Sequence, residues 1–130
     1  MAEHLNPLNL PYPEVGMNQG VATKDFVFAG GMALDWGTMQ RHVDADTIAS
    51  ETRMCLEEIQ GLLAEAGSTI SDIVKTTIYL TDDSYRQECW EEYTKFFGQG
   101  PYPARTTFVV GIAAGCRVEI DSIAVRSAGN

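Results

Sequence analysis

The 130-residue chain is poor in positive charge. Nine Lys and Arg stand against eighteen Asp and Glu, giving a formal net charge of −9. Such a surface repels phosphate backbones and anionic lipid headgroups unless its cations cluster. They do not cluster: from Arg41 through Lys75 and Arg105 to Arg126 they are scattered, with no basic run and no RNA-reading signature. Nucleic acid is therefore not an expected partner. Long apolar runs are missing too. No stretch approaches the roughly 18 residues of a membrane span, and MAEHLNPLNLPYPEVG lacks the basic start and apolar core of a signal peptide. Neither a membrane nor export is expected, and the default location is the cytoplasm. Histidine is scarce: His4 and His42 lie in polar surroundings, which argues against a histidine-centred catalytic dyad. The three cysteines, Cys55, Cys89 and Cys116, show neither a CxxC pair nor metal-ligand spacing. Cys55 and Cys89 fall on apolar faces of predicted helices, whereas Cys116, beside Gly115 in a predicted turn, is the more reactive candidate. Serine elbows, phosphate-cradling glycine patterns and dinucleotide signatures are also missing, so neither a metal nor an organic cofactor is expected.

What is present describes one ordered globular domain over residues 1–130, with 45% hydrophobic and 21% charged residues. Residues 1–16 carry Pro7, Pro11 and Pro13, which prevent a regular helix, and read as an extended arm. Gln19 to Ala22 and FVFAG, around a turn at Thr23-Lys24-Asp25, read as a hairpin. Gly30 and Gly31 then predict a bulge or a close backbone approach. Met32 to Asp35 and Met39 to Val43 flank a turn at Trp36-Gly37-Thr38 and suit a second hairpin or a loop.

From Ile48 the period changes. Ile48, Cys55, Leu56, Ile59, Leu62, Leu63 and Ala66 recur at helical steps, with Asp46 or Thr47 as cap and Gly67 as a left-handed stop. Asp72 to Thr81 is β-branched and predicts a central strand. Ser84 with Gln87 predicts a capping-box start to a second helix that ends at Gly98 and buries Tyr85, Cys89 and Tyr93. Trp90 lies off that face and is given no role. Thr106 to Val110 and Arg117 to Val125 read as strands joined by the turn GIAAGC. The order predicts an α/β or α+β sandwich with one layer of helices. In the last strand Val118, Ile120 and Ala124 share one side, while Ile123 and Val125 share the other with Glu119 and Asp121, so both sheet faces carry hydrophobes and self-association is expected.

The remaining chemistry is an arginine and carboxylate set. Arg105 precedes TTFVV, and Glu119 sits among β-branched neighbours, where an acid needs a reason. If the last two strands pair through GIAAGC, Arg105 and Glu119 share a sheet edge. An arginine forks onto a substrate carboxylate, and a partly buried glutamate holds a water or passes a proton. Spacing alone favours the plainer alternative of a salt bridge that fixes the hairpin.

GPYPARTTFVV followed by RVEIDSIAV, together with DIVKTTIYLTD, WEEYTKFF and FVFAGGMALD, resembles the reactive intermediate deaminases, the Rid or YjgF-like family of enamine and imine deaminases. The resemblance spans residues 15 to 126. It implies an α+β, chorismate-mutase-like (YjgF-like) fold with a mixed β-sheet, two helices packed on one face, and a homotrimer whose sheets form an inner barrel with ligand clefts between subunits. It implies that Arg105 grips a substrate carboxylate, that Glu119 positions the attacking water, and that the Gly31 backbone contacts the ligand. The implied reaction is hydrolysis of small 2-enamino or 2-imino carboxylates to 2-keto acids and ammonia. Thr107 stands where many members have cysteine, as a further binding residue, and GMNQGV replaces a stretch that elsewhere carries a tyrosine. Met17, Asn18, Gly30 and Trp36 are candidate cleft-lining residues. Two other functions fit the same scaffold: a non-catalytic small-carboxylate binding or regulatory protein, and a specialised pathway deaminase or hydrolase with a larger substrate.

Overall fold

The computed structural model describes residues 2–126. Eight strands occur in the order β1 (Glu3–Leu5), β2 (Gly20–Ala22), β3 (Phe26–Met32), β4 (Leu34–Asp35), β5 (Gln40–Arg41), β6 (Ile73–Leu80), β7 (Ala104–Val109) and β8 (Val118–Val125). Helix α1 (Ile48–Glu65) follows β5, and helix α2 (Arg86–Phe97) joins β6 to β7. Six strands form one mixed sheet in the order β1-β2-β3-β8-β6-β7, and β4 and β5 form a separate small hairpin. Within the sheet only β6 and β7 run parallel.

The local signals explain the elements. Thr47 caps α1 by accepting from Ser50 N–H while the Ser50 hydroxyl accepts from Thr47 N–H, both at 3.0 Å. The chain leaves the helix through Gly67 at φ 78°. The Ile48, Cys55, Leu56, Ile59, Leu62 and Leu63 stripe is buried against Val27, Ala29, Ile78, Val118 and Ile120 from the sheet. The β2–β3 hairpin forms as the sequence predicts, and of the hairpin and loop left open for Met32 to Val43 it is the hairpin, β4–β5, that forms.

Three expectations change, and one pair of alternatives is decided. The prolines do exclude an α-helix from the N-terminal segment, yet it is docked and not a free arm: β1 pairs with β2, and a short 3-10 helix at Tyr12–Val15 buries Tyr12. The start of α2 is not a Ser84–Gln87 box; Asp82 accepts from Ser84 N–H at 2.8 Å and caps a 3-10 turn that leads into the helix. No bulge interrupts β3, whose register with β8 runs unbroken from Phe26 to Met32. Finally, β7 and β8 do not pair. Strand β6 lies between them, because GIAAGC carries the chain across the end of β6, where Val110 N–H donates to Leu80 O and Thr81 N–H to Arg117 O.

Both helices pack on one face. That face receives Val118, Ile120, Ser122 and Ala124 of β8, all buried, whereas the alternate residues Glu119, Asp121, Ile123 and Val125 point to the other. On this open face Phe26, Phe28, Phe108 and Val125 are each 38–50% exposed, an apolar surface of the kind monomers seldom present. A buried acid ties the two layers together: Glu51, in the first turn of α1, accepts from Arg117 N–H at 2.6 Å, Arg117 Nε at 2.8 Å and Val118 N–H at 3.0 Å. Arg117 and Arg126 thus pair with Glu51 and Glu3.

Candidate functional site

The strand order separates the two residues that sequence reasoning paired. Arg105 lies beside Thr76 in the β6–β7 register, and Thr107 beside Ile78. Thr76 and Ile78 are buried under the helices, so Arg105 and Thr107 belong to the helix-covered face. Glu119, flanked by Met32 on β3 and Tyr79 on β6, belongs to the open face. Within one chain the two face opposite ways, and they form no hairpin salt bridge.

Arg105 is exposed, and it is the one arginine among the described residues with neither an ion pair nor a hydrogen bond. Its guanidinium carbon instead lies 4.3 Å from the centroid of the Trp90 ring and 5.2 Å from that of Tyr93. Tyr93 is itself fixed, its hydroxyl 2.7 Å from Thr76 Oγ1. The stacking leaves the edge of the guanidinium fork free for a carboxylate. A cavity of about 770 Å³ opens there between Arg105, Trp90, Arg86, Gln87 and Thr94.

A second cavity, of about 930 Å³, has a wall that includes Glu119, Met17, Asn18, Gly30 and Trp36, together with Tyr12 and Glu58. Every candidate lining residue is thus present, but Gly31 is not among them. It is buried on the helix side of β3, where an added Cβ would lie 2.0 Å from the Cys55 carbonyl oxygen. The close backbone approach that the glycine pair predicts is real, and α1 is what approaches.

Read from the sequence, Tyr12 could replace the missing tyrosine only if the N-terminal segment folded over a cleft, and Glu58 carried no signal as a site residue. The Tyr12 hydroxyl donates to Glu58 at 2.6 Å, and its ring meets Trp36 edge to face at 4.7 Å. The other Glu58 oxygen accepts from Met32 N–H at 2.9 Å, a strand-edge donor left free because β2 ends before that point. The proline-rich segment therefore brings a tyrosine to the cleft even though GMNQGV holds none. Burial pushes the Glu58 carboxyl up, against the lowering effect of these two hydrogen bonds. Burial, and then the charge of Asp121, push Glu119 up as well. A carboxyl so raised exchanges a proton more readily near neutral pH. No lysine or arginine lines this cavity.

Cys116 is not the reactive thiol its turn position suggests. It is buried with Cys55 and Cys89, and burial pushes its thiol up to about 11. Native protein is expected to resist iodoacetamide at pH 7.5 and to take up label at all three cysteines only after denaturation. Mass spectrometry of intact and unfolded samples checks this, and rapid labelling of the native chain would contradict it.

A sequence model of the family described as Endoribonuclease L-PSP matches residues 8–126. The chain belongs to that family. Its relatives include the RutC family protein PH0854 of Pyrococcus horikoshii, 30% identical over 128 residues and covering 97% of this chain and 99% of the relative. TdcF of Escherichia coli, named as a candidate reactive intermediate deaminase, is 32% identical over 113 residues, covering 85% of this chain and 86% of its own. The crystal structure of E. coli TdcF with bound serine superposes with a TM-score of 0.82 at 28% identity, covering 96% of this chain and 99% of the other. The Rid family protein YyfA of Yersinia pestis gives 0.84 at 28% identity, with the same coverage. The resemblance read from the C-terminal motifs is thereby borne out, as are the mixed sheet and the two helices on one face. No helix among the described residues is long and apolar enough to cross a membrane.

Proposed function

We propose that the protein is a cytoplasmic homotrimeric deaminase that hydrolyses small 2-enamino and 2-imino carboxylates, with each site built between two chains. The observation that carries this reading is the unpartnered Arg105 guanidinium on one face of the sheet, with the Glu119 cleft on the other. Two half-sites on different surfaces are joined by a head-to-tail contact, which closes into a ring of three where successive chains are related by a one-third turn. The exposed Phe28, Phe108 and Val125 supply the apolar area that association would bury. The serine seen in TdcF, an amino carboxylate, belongs to the same chemical class as the proposed substrate.

In this reading Arg105 of one chain holds the substrate carboxylate, and Glu119 of its neighbour orients one water. The iminium carbon is already electrophilic, so positioning and proton transfer are the protein's main tasks. As the water oxygen bonds to that carbon, Glu119 takes a water proton. It then returns the proton to the amino nitrogen of the tetrahedral adduct. The C–N bond breaks and ammonia leaves as Glu119, again a carboxylate, takes the hydroxyl proton and the ketone forms; that proton then passes to ammonia, which departs as ammonium. The Glu58, Glu119 and Asp121 carboxylates, on a wall without lysine or arginine, favour this chemistry over RNA cleavage, since they repel a phosphate backbone.

The test generates 2-iminopropionate in situ and follows its trapping by semicarbazide with and without the protein. Faster decay than in buffer is expected. No acceleration for small or larger imino acids alike would overturn the deaminase reading, and binding without turnover would favour a carboxylate-binding protein.

A further inference from the structure

Trp90 makes three directed contacts, and two of them go to residues of the carboxylate half-site. The face of its ring carries the Arg105 guanidinium at 4.3 Å, and its indole N–H donates to Thr107 Oγ1 at 3.1 Å. Arg105 and Thr107 are two apart on β7 and therefore project to the same side. One rigid bicyclic side chain from α2 thus spans both. A tryptophan that merely filled the helix edge would need neither contact.

Each contact has a chemical consequence. A long arginine side chain in solvent samples many rotamers, and ordering it on substrate binding weakens affinity. Stacking on an aromatic face removes much of that freedom before the ligand arrives and leaves the N–H edge of the fork unused. Thr107, by accepting from the indole, keeps its own O–H to donate. Arg86 also stands over the ring, at 5.3 Å, but it is committed to Asp83 at 2.6 Å, whereas Arg105 has no carboxylate of its own.

We propose that Trp90 is the positioning residue of the carboxylate clamp, presenting the Arg105 fork and the Thr107 hydroxyl together as preset donors to the substrate. This rests on the deaminase reading and adds to it the residue that makes the grip tight. Trp90 does not touch the reacting carbon, so its loss weakens binding and leaves the proton-transfer steps intact.

The experiment measures KM and kcat for 2-iminopropionate, and the dissociation constant of pyruvate by NMR titration, in wild type, W90L, W90F, T107V and the W90F/T107V pair, with thermal melts as the check on folding. W90L is expected to raise KM and the pyruvate dissociation constant about tenfold, with kcat held within about twofold. W90F keeps the ring face and is expected to recover most of the loss, and adding it to T107V is expected to change little, since both remove the same hydrogen bond. Wild-type KM and pyruvate affinity in W90L would overturn the inference, as would a fall in kcat and melting temperature with KM unmoved. Should W90L fail to fold, full additivity of W90F and T107V overturns it. A wild-type protein that turns over imine while W90L is unaffected sinks only this inference. A wild type that neither binds pyruvate nor turns over imine sinks the deaminase reading with it.

Discussion

Replacing Arg105 with alanine is expected to lower kcat/KM for 2-iminopropionate by about 100-fold while leaving the protein folded. A forked, charge-assisted pair of hydrogen bonds to a carboxylate is worth roughly 3 kcal/mol, which corresponds to a factor of that size. The fold is spared because Arg105 makes no hydrogen bond or ion pair among the described residues and is exposed in the chain. R105K is expected to recover only part of the loss, since an ammonium is a point charge that neither forks nor lies flat on an indole. The semicarbazide-trap assay with matched melting curves reads both effects. A change of less than about threefold in R105A would remove Arg105 from the clamp.

The second large effect concerns a glycine whose implied role was ligand contact. Gly31→Ala is expected to cost at least about 3 kcal/mol of stability or to prevent folding, because the new methyl would sit 2.0 Å from the Cys55 carbonyl oxygen and 2.8 Å from the Cys55 carbonyl carbon. Both neighbours are backbone, so no rotamer change relieves the clash, and α1 must lift from β3. Gly30→Ala is the control: its methyl would meet Gln19 Nε2 at 3.5 Å and Ile120 O at 3.7 Å, ordinary contacts on the cleft side. Urea titration is expected to show a sharply lowered midpoint for the first variant and a near wild-type midpoint for the second. Equal midpoints would contradict the view that Gly31 is set by helix packing.

The helices, the stop of the first at Gly67 and the β2–β3 hairpin were readable because periodicity, capping and turns are local properties, whereas the cap lay between Asp46 and Thr47 and the second hairpin stayed open against a loop. Sheet order was not. Adjacency in sequence made a β7–β8 hairpin the natural expectation, yet β7 closes a parallel pair with β6 across α2, a pairing that leaves no local mark. That one difference decides which face each residue occupies, and so whether Arg105 and Glu119 meet within a chain. Glu58 was hidden for the same reason, and Tyr12 half so: the missing tyrosine made it a substitute if the N-terminal segment folded back, but only the tertiary fold brings residue 12 onto a glutamate 46 positions later. Glu51 left a faint signal, an acid three residues after Ile48 inside the apolar stripe, where a buried partner such as Arg117 is required. Trp90 lay one step off the 85, 89, 93 face, which looked like a helix edge until β7 was found beside it.

Whether two chains each contribute half of a site is decided by subunit mixing. R105A and E119Q are each expected to be nearly inactive as pure proteins. Co-expressed in equal amounts, they regain about a quarter of wild-type turnover, because random assembly places an intact Arg105 against an intact Glu119 at about one contact in four. Co-assembled trimers that stay as inactive as either parent, with mixed composition verified by native mass spectrometry, would contradict it.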